Sequence, residues 1–537
     1  MTDRDTEQEP ADGSEPRLRG PVARWLSWAV FAAFLAYYGL LCFRHQGWGG
    51  DFQMYAAGIS QLNRNFWHPL HEAMNVPGSE STIYTFYLVF IAALGKPFGA
   101  TPYRVLEVAG LVNLSLLAAA ACYFFSRHSL HRRWWLGAAC FMFTTLCLRW
   151  LHFGWSSEIS LTNLQYIQPY PSTLGWALAF FGFGLMQDLA RTGRAREVLL
   201  LGVLLAVSLL THVLTASWTV GIVGLHALWC AVERRQWRPL LLPLAAMAIA
   251  LGLAAVWPYA PFFGQTSMSS VREPHDFGDP LHDMPNLYAL ALPCYGYLIL
   301  RLRRQGFWLL GMLVTLGALY LWHRVDFSFG YRYTFFAAFF AHFVVAEVMA
   351  LGIFALLGPL SELAASRRWP ALDRPLAVVL LGLALVAWLP SPMLVKAHNQ
   401  KNEFGRLSSP LELLRQGSPL DEYYQKFAEL RPYLSEADLV LIPVSRDVFD
   451  LASITGAQVI SSPNALRVPD RGARQRDVSQ FFDQTASDEE REEVVLRHQP
   501  TKVIVPRSHF ALLGMLTQQY GQPTYRSADY ALWDFSI

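Results

Sequence analysis

The sequence predicts an α-helical polytopic membrane protein with about 11 transmembrane helices and a C-terminal soluble α/β domain. The first observation is composition: 53% of the 537 residues are hydrophobic and 16% are charged, whereas soluble domains carry roughly one quarter charged residues. The second is layout. Apolar runs of membrane-spanning length, about 20 residues, recur as far as residue 393, and acidic residues concentrate beyond residue 400.

Positively charged clusters between the runs give the orientation. With the N-terminus inside, every Arg cluster that joins successive runs falls on the cytoplasmic side. The runs are residues 24–43, 104–126, 134–151, 172–190, 197–211, 213–232, 238–257, 284–301, 306–322, 333–357 and 375–393. The clusters are Arg127/Arg132/Arg133, Arg191/Arg194/Arg196, Arg234/Arg235/Arg238, Arg301/Arg303/Arg304 and Arg367/Arg368/Arg374. The odd number of runs places the C-terminus outside, as in a multi-pass protein of a bacterial inner membrane with a periplasmic C-terminal domain.

Two places depart from simple spans. Residues 83–98 are apolar but short, and counting them as a span would put the Arg127 cluster outside, so we expect a juxtamembrane or re-entrant helix there. The runs 197–211 and 213–232 have almost no loop between them. We therefore expect the turn at Thr211 and His212 to lie inside a protein-lined cavity, where a broken helix is tolerated.

These patterns divide the chain into three parts. Residues 1–23 form a disordered cytoplasmic tail, and residues 24–395 form a transmembrane module whose first outer loop, 44–103, contains juxtamembrane helices. Residues 396–537 form the periplasmic α/β domain, because short apolar segments alternate there with helical stretches. The expected buried strands are residues 438–443, 457–461 and 501–506.

The first outer loop carries Asp51 a few residues beyond the first span, in the run Gly-Asp-Phe-Gln-Met-Tyr that ends at Tyr55. A carboxylate at the outer membrane face can act as a general base. An Asp that follows two glycines and precedes an amphipathic stretch is also a good helix N-cap. Both interpretations of Asp51 stay open at this point.

The second outer loop, 151–171, carries Glu158, Gln165 and Tyr166 among aromatic residues. This composition is suited to binding sugar hydroxyls. Glycine-rich nucleotide fingerprints are lacking from the sequence, and no basic face suggests nucleic acid. A nucleotide cofactor is therefore not indicated, and we expect no required cofactor.

The third and fourth outer loops are charged. Arg272, His275 and Asp276 lie in the third, where His and Asp either bind a divalent metal or simply face water; the lack of fixed ligand spacing favours water. Arg324 and Arg332 lie in the fourth, against the positive-inside bias, at the depth of a lipid phosphate. Snorkelling to lipid headgroups is the structural alternative for both arginines.

The order of these parts resembles the GT-C glycosyltransferases, which include protein O-mannosyltransferases, aminoarabinose transferases acting on lipid A and arabinofuranosyltransferases of cell envelopes. In that family an essential acid soon after the first span begins an outer loop with juxtamembrane helices, and Asp51 matches this acid by position. The segments 447–456, 474–482 and 529–533 are similar to the soluble domain of many bacterial members. The chain lacks the Pro-Pro-Leu motif of the mannosyltransferase and aminoarabinose subgroups, and an adjacent acidic pair at Asp51.

The resemblance implies transfer of a single sugar, a hexose or a pentose such as arabinofuranose, from a polyprenyl-phosphate donor to an extracytoplasmic hydroxyl of a glycan, lipid or protein, normally with inversion. Asp51 would take the acceptor proton. Arg324 and Arg332 would hold the departing phosphate, assisted by Lys96 or Arg272. The residues expected to contact sugar or acceptor are Tyr55, Glu158, Gln165, Tyr166, His212, His275 and Asp276.

Two other classes of function remain open from the sequence. A flippase or transporter of lipid-linked sugars would also place cationic residues and broken helices around a midplane cavity. A non-catalytic envelope scaffold would bind glycan through the outer domain, and its carboxylates would only cap helices. The long first loop and the fused outer domain favour the enzyme over the transporter.

Overall fold

The computed structural model describes residues 21–44, 51–78, 81–128, 164–259, 427–463 and 470–535, with residues 137–138, 141–142, 293–294, 296, 348 and 468. Its first part is helical. The helices are α1 (Pro21–Arg44), α2 (Phe52–Arg64), α3 (Phe86–Gly95), α4 (Pro102–His128), α5 (Leu164–Ile167), α6 (Pro171–Thr192), α7 (Ala195–Thr211), α8 (Val213–Arg234) and α9 (Arg238–Ala255).

Predicted membrane runs correspond closely to helices in the described part of the chain. Runs one, two and four to seven become α1, α4, α6, α7, α8 and α9. Three described helices are long and apolar enough to cross a bilayer: Pro102–His128, Thr215–Arg234 and Arg238–Ala255. Of the runs 134–151, 284–301 and 333–357 the structure describes only a few single residues, and the runs 306–322 and 375–393 lie outside the described residues. The total of eleven therefore stays a prediction.

The segment 83–98 forms a short helix and not a span. With 10 residues, α3 is about 15 Å long, half of the hydrocarbon thickness of about 30 Å. Thr85 caps its start by accepting a hydrogen bond from the backbone of Leu88. The chain then makes a 3₁₀ turn and leaves it through Gly99, whose φ of 59° lies in the left-handed region that suits glycine. The length agrees with the predicted juxtamembrane helix.

The predicted helix break at Thr211 and His212 is confirmed. α7 ends at Thr211, α8 begins at Val213, and His212 between them has φ −154° and ψ 89°. The His212 imidazole caps α8, because Nδ1 accepts a hydrogen bond from the Thr215 backbone at 3.3 Å and lies 2.7 Å from the Thr215 hydroxyl. The break therefore has a local cause in the sequence, a capping side chain at the junction.

Helices α7 and α9 approach each other closely at Gly202. A Cβ added there would lie 2.9 Å from Ile249 Cβ and 3.0 Å from the Ala246 carbonyl oxygen. Small residues permit such backbone proximity between membrane helices. Gly202 therefore sets the distance between α7 and α9.

We expect Gly202→Ala to lower the melting temperature of the detergent-purified protein, because overpacking of this kind typically costs about 1–3 kcal/mol. Gly252→Ala is the matched control: Gly252 lies in α9, and a Cβ there meets nothing within 4 Å. Both substitutions gain the same intrinsic helix propensity. Equal melting temperatures for the two variants would contradict the packing role of Gly202.

Charged residues gather at one end of the bundle. Asp188 accepts a hydrogen bond from Tyr123 at 2.6 Å and pairs with Arg127 at 3.1 Å and Arg191 at 2.7 Å. These contacts lie at the ends of α4 and α6 that were predicted to be cytoplasmic. α4 has 27 residues, so its opposite end is about 40 Å away. The presence of an acid at position 188 is therefore explained by structural ion pairs.

The C-terminal part of the described chain is an α/β unit with a five-stranded mixed sheet in the order β2-β1-β3-β5-β4. β1 pairs in parallel with β2 and β3, and β5 pairs antiparallel with β3 and β4. The elements are β1 (Leu439–Leu441), α10 (Asp447–Thr455), β2 (Gln458–Val459), α11 (Arg471–Phe482), α12 (Asp488–His498), β3 (Lys502–Pro506), α13 (Phe510–Tyr520), β4 (Tyr525–Arg526) and β5 (Tyr530–Asp534). The three predicted strands became β1, β2 and β3.

The α/β unit packs directly on the first outer loop. One hydrophobic cluster contains Leu62 of α2, Leu106 of α4, Leu451 of α10 and Ile504 of β3. The backbone of Val459 in β2 also donates a hydrogen bond to the Ala73 carbonyl at 2.7 Å. The unit therefore shares its core with the segment that follows Asp51.

Candidate active site

Asp51 stands directly before α2, with φ −99° and ψ 14°, and its side chain makes no capping hydrogen bond. The residue is exposed. Burial raises the pKa of the nearby Tyr170 hydroxyl, and a hydrogen bond with the Phe52 backbone, at the start of the helix, acts to lower it. Asp51 thus occupies the N-cap position without a side-chain capping bond to α2, and its role as a general base stays a prediction.

Tyr55 and Tyr170 adjoin Asp51. The Tyr55 backbone donates to the Asp51 carbonyl at 3.1 Å, so the two residues lie on the same face of α2, one turn apart. The ring centroids of Tyr55 and Tyr170 are 5.6 Å apart. Burial raises the pKa of the Tyr170 hydroxyl well above its usual range, and the nearby Asp51 carboxylate raises it further. Tyr170 therefore stays a neutral hydroxyl beside the carboxylate at physiological pH.

Arg446 approaches the same tyrosine from the α/β unit. It lies directly before α10 and is exposed, and its positive charge acts to lower the pKa of Tyr170, against the larger effect of burial. Asp51 and Arg446 thus both lie close enough to Tyr170 for their charges to act on it, although they lie in distant parts of the sequence. Sequence reasoning missed Arg446 because the family-like pattern recognised in this region begins at the next residue.

A buried asparagine fixes the turn that carries Tyr170. The Asn113 amide in α4 donates to the Gln168 carbonyl at 2.8 Å and to the Tyr170 carbonyl at 3.3 Å. It also donates to the Tyr87 hydroxyl at 3.1 Å, which in turn donates to the Pro169 carbonyl at 2.7 Å. This network joins α3 and α4 to the turn that precedes α6, so the position of Tyr170 is set by tertiary contacts.

Three of the predicted sugar-contacting residues, Gln165, Tyr166 and His212, can be placed relative to Tyr170. Gln165 and Tyr166 belong to α5, the single turn that precedes Tyr170. A Cβ added at Gly175 in α6 would lie 3.4 Å from His212 Cβ, and Gly175 follows Tyr170 by about 8 Å along the helix axis. The structure therefore brings His212 to the neighbourhood of Tyr170, where its Nδ1 is used to cap α8.

Lys96 lies near the end of α2 that is remote from Asp51. Its ammonium group is 5.9 Å from the centre of the Phe66 ring, a cation–π contact. Phe66 follows the end of α2 whereas Asp51 precedes its start, and 13 helical residues separate the two ends by about 20 Å. The structure does not bring Lys96 and Asp51 together.

The remaining candidates lie outside the described residues, and their roles stay predictions. They are Glu158, Arg272, His275, Asp276, Arg324 and Arg332. The described residues contain no group of three or more His, Cys, Asp or Glu side chains placed to hold a metal ion; the loop of His275 and Asp276 is not among them.

Comparison with solved structures gives the class of fold. ArnT from Cupriavidus metallidurans in the apo state aligns with a TM-score of 0.52 and 14% identity, over 96% of this chain and 98% of that chain. The same protein bound to undecaprenyl phosphate aligns with a TM-score of 0.51 and 14% identity, over 95% and 97%. The apo oligosaccharyltransferase of Archaeoglobus fulgidus aligns with a TM-score of 0.50 and 13% identity, over 91% and 71%.

The chain therefore has the fold of the GT-C glycosyltransferases, and the resemblance seen in the sequence is confirmed at the level of the fold. Within that class, its similarity to ArnT from Cupriavidus metallidurans extends over nearly the whole of both chains. No protein-family model and no curated protein sequence matches it.

Proposed function

We propose that the protein is a membrane glycosyltransferase that moves a single sugar from a polyprenyl-phosphate donor to an extracytoplasmic hydroxyl, with Asp51 as general base. The observation that carries the proposal is the exposed Asp51 carboxylate at the start of α2, close enough to Tyr170 to raise the pKa of its hydroxyl. The GT-C fold supports this class of reaction. The undecaprenyl phosphate bound to ArnT in one solved structure supports the same kind of lipid carrier here.

The proposed reaction is a single displacement. The acceptor oxygen attacks the anomeric carbon while its proton passes to Asp51, and the bond from that carbon to the phosphate oxygen breaks with its electron pair leaving on the phosphate. Attack opposite the leaving group inverts the anomeric centre. A well-placed base contributes about two to four orders of magnitude to such a step. Tyr170, a neutral hydroxyl beside the carboxylate, helps to fix the direction from which the acceptor approaches.

The test of this function starts from the envelope. Mass spectrometry of envelope glycans, from cells with and without the protein, should identify one sugar that is missing when the protein is missing. Purified protein in lipid nanodiscs should then transfer that sugar from its polyprenyl-phosphate form to the acceptor. An unchanged glycan profile, together with movement of the intact lipid-linked sugar across the bilayer, would favour the transporter.

The donor phosphate is expected to contact Arg324 and Arg332, the two outer arginines that oppose the general charge bias. Substitution by Lys keeps the charge but loses the bidentate fork, so each Arg→Lys variant should bind donor more weakly and transfer more slowly. Each Arg→Ala variant should lose more of the donor affinity and more of the transfer rate. Titration of donor against initial rate measures both effects. Wild-type rates in Arg324→Ala and Arg332→Ala would place the phosphate site elsewhere.

The C-terminal α/β unit is expected on the periplasmic side. The ion pairs of Arg127 in α4 and Arg191 in α6 with Asp188 lie at one end of the bundle. The α/β unit contacts the opposite end, the start of α4, through Tyr103. The positive-inside rule assigns that Arg-rich end to the cytoplasm. Reporter fusions at Ser435 should therefore give a periplasmic signal. A cytoplasmic signal would reverse the orientation and remove Asp51 from the outer face.

A further inference from the structure

A buried carboxylate joins the α/β unit to the helix that begins after Asp51. Asp450 in α10 is 0% exposed. One carboxylate oxygen accepts a hydrogen bond from the Gln53 amide at 2.6 Å, and the other accepts one from the Tyr103 hydroxyl at 2.6 Å. Gln53 lies in the first turn of α2, two residues after Asp51, and Tyr103 lies in the first turn of α4. One side chain thus connects three elements.

Packing alone does not explain an acid at this position. Taking a carboxylate out of water is costly, and an apolar side chain of similar size often stabilises a core as well or better. Two oxygens with directional hydrogen bonds do something that an apolar side chain cannot, because they fix the angle of the elements that donate to them. Here those elements are α2 and α4.

The rest of the interface fixes α2 along its length. The Ser60 hydroxyl donates to the Ser453 carbonyl at 3.2 Å, and Arg64 donates to the Gly456 carbonyl at 3.0 Å. Arg64 also pairs with Glu436 at 2.9 Å. These contacts lie in later turns of the helix, whereas the Asp450 contact acts on the turn next to Asp51.

We infer that Asp450 is a positioning residue for Asp51: through Gln53 and Tyr103 it holds the first turn of α2 at the angle that presents the Asp51 carboxylate to the acceptor. The inference rests on the proposed function. It makes the chemical step depend on the α/β unit, because the unit supplies the group that orients the base. A misplacement of about 1 Å at a reacting group can cost about a hundredfold in rate.

Asp450→Ala tests the inference in the full-length protein in nanodiscs. We expect kcat to fall at least tenfold, with KM for the donor unchanged within about twofold, because the phosphate is held by other groups. Asp450→Asn should restore most of the rate: its amide oxygen accepts from Tyr103, and its amide nitrogen donates to Gln53 once the Gln53 amide has flipped. Ser60→Ala, which removes a bond of the same interface two turns further along α2, should leave kcat unchanged.

A double variant separates positioning from general damage. If Asp450 acts through Asp51, adding Asp450→Ala to Asp51→Asn should lower the remaining rate by no more than about twofold. A further tenfold loss would show that Asp450 acts on something else and would overturn the inference. Wild-type kcat in Asp450→Ala would overturn it as well.

The rates of the Asp51→Asn and Asp450→Ala variants together distinguish a failure of this inference from a failure of the proposed function. Normal turnover in Asp51→Asn would show that Asp51 is not the base, and it would reject the positioning role of Asp450 as well. An inactive Asp51→Asn together with a fully active Asp450→Ala would leave the base in place and reject only the positioning role. If Asp450→Ala does not fold, Tyr103→Phe removes one of the two hydrogen bonds and should lower kcat in the same direction; an unchanged kcat in Tyr103→Phe then rejects the inference.

Discussion

Asp51→Asn is expected to lower the rate of sugar transfer by at least about a hundredfold, with donor binding largely retained. Asn keeps the shape of the side chain and removes its basicity. The Asp51 side chain makes no capping hydrogen bond to α2, so the substitution should leave the start of the helix intact. Single-turnover transfer measures the chemical step, and donor titration measures binding.

Asp470 offers a matched control for the helix-capping interpretation. It precedes α11 with φ −99° and ψ 15° and likewise makes no side-chain capping bond, in nearly the same backbone conformation as Asp51. Asp470→Asn changes the same group at an equivalent helix start, where its partner is Arg474 at 2.8 Å. It should transfer sugar at the wild-type rate. Normal turnover in Asp51→Asn would show that the acceptor proton goes to another group.

Asn113→Asp is expected to cause the largest loss of stability among the substitutions considered. The Asn113 amide donates hydrogen bonds to two backbone carbonyls and to the Tyr87 hydroxyl. An aspartate of the same shape has at most one hydrogen to donate and, when ionised, none, so oxygens would face oxygens in a buried site. Burying an unpaired charge in this way costs about 3–5 kcal/mol. Thermal unfolding of the detergent-purified protein measures the effect.

Two further variants calibrate this loss. Asn113→Leu is nearly isosteric and uncharged, so it should cost less, about 1–3 kcal/mol for the unpaired carbonyl groups. Ser115→Ala is the control on the same helix, because Ser115 is exposed and donates only to the Leu111 carbonyl of its own helix. An Asn113→Asp protein as stable as the Ser115→Ala protein would show that the turn before α6 does not depend on Asn113.

Hydropathy and charge predicted the membrane helices well wherever the structure describes them. The boundaries of α7 and α8 were found within two residues because the apolar runs are long and end in polar or charged residues. In the α/β unit, residues 438–443, 457–461 and 501–506 were recognised as strands because they are short and apolar. β4 was not predicted, because its two residues, Tyr525 and Arg526, carry no strand pattern of their own.

The candidate site was predictable only in part. Asp51 could be identified because its position relative to the first span is a local property of the sequence. Tyr170, Arg446 and Asp450 could not be, since each acquires its role from residues more than a hundred positions away in the sequence. The Gln53–Asp450 bond, for example, joins residues 397 positions apart, and no periodicity or spacing encodes such a pair.

The contact between β2 and the first outer loop has a consequence for the order of synthesis. Ala73 and its bonded partner Val459 are made at opposite ends of translation. At about 5–20 residues per second, α2 leaves the ribosome roughly 20 to 80 s before α10. During that interval the helix that follows Asp51 lacks the surface against which it packs. The segment between α1 and α4 therefore reaches its final geometry only when the last quarter of the chain has been made and packs beside it.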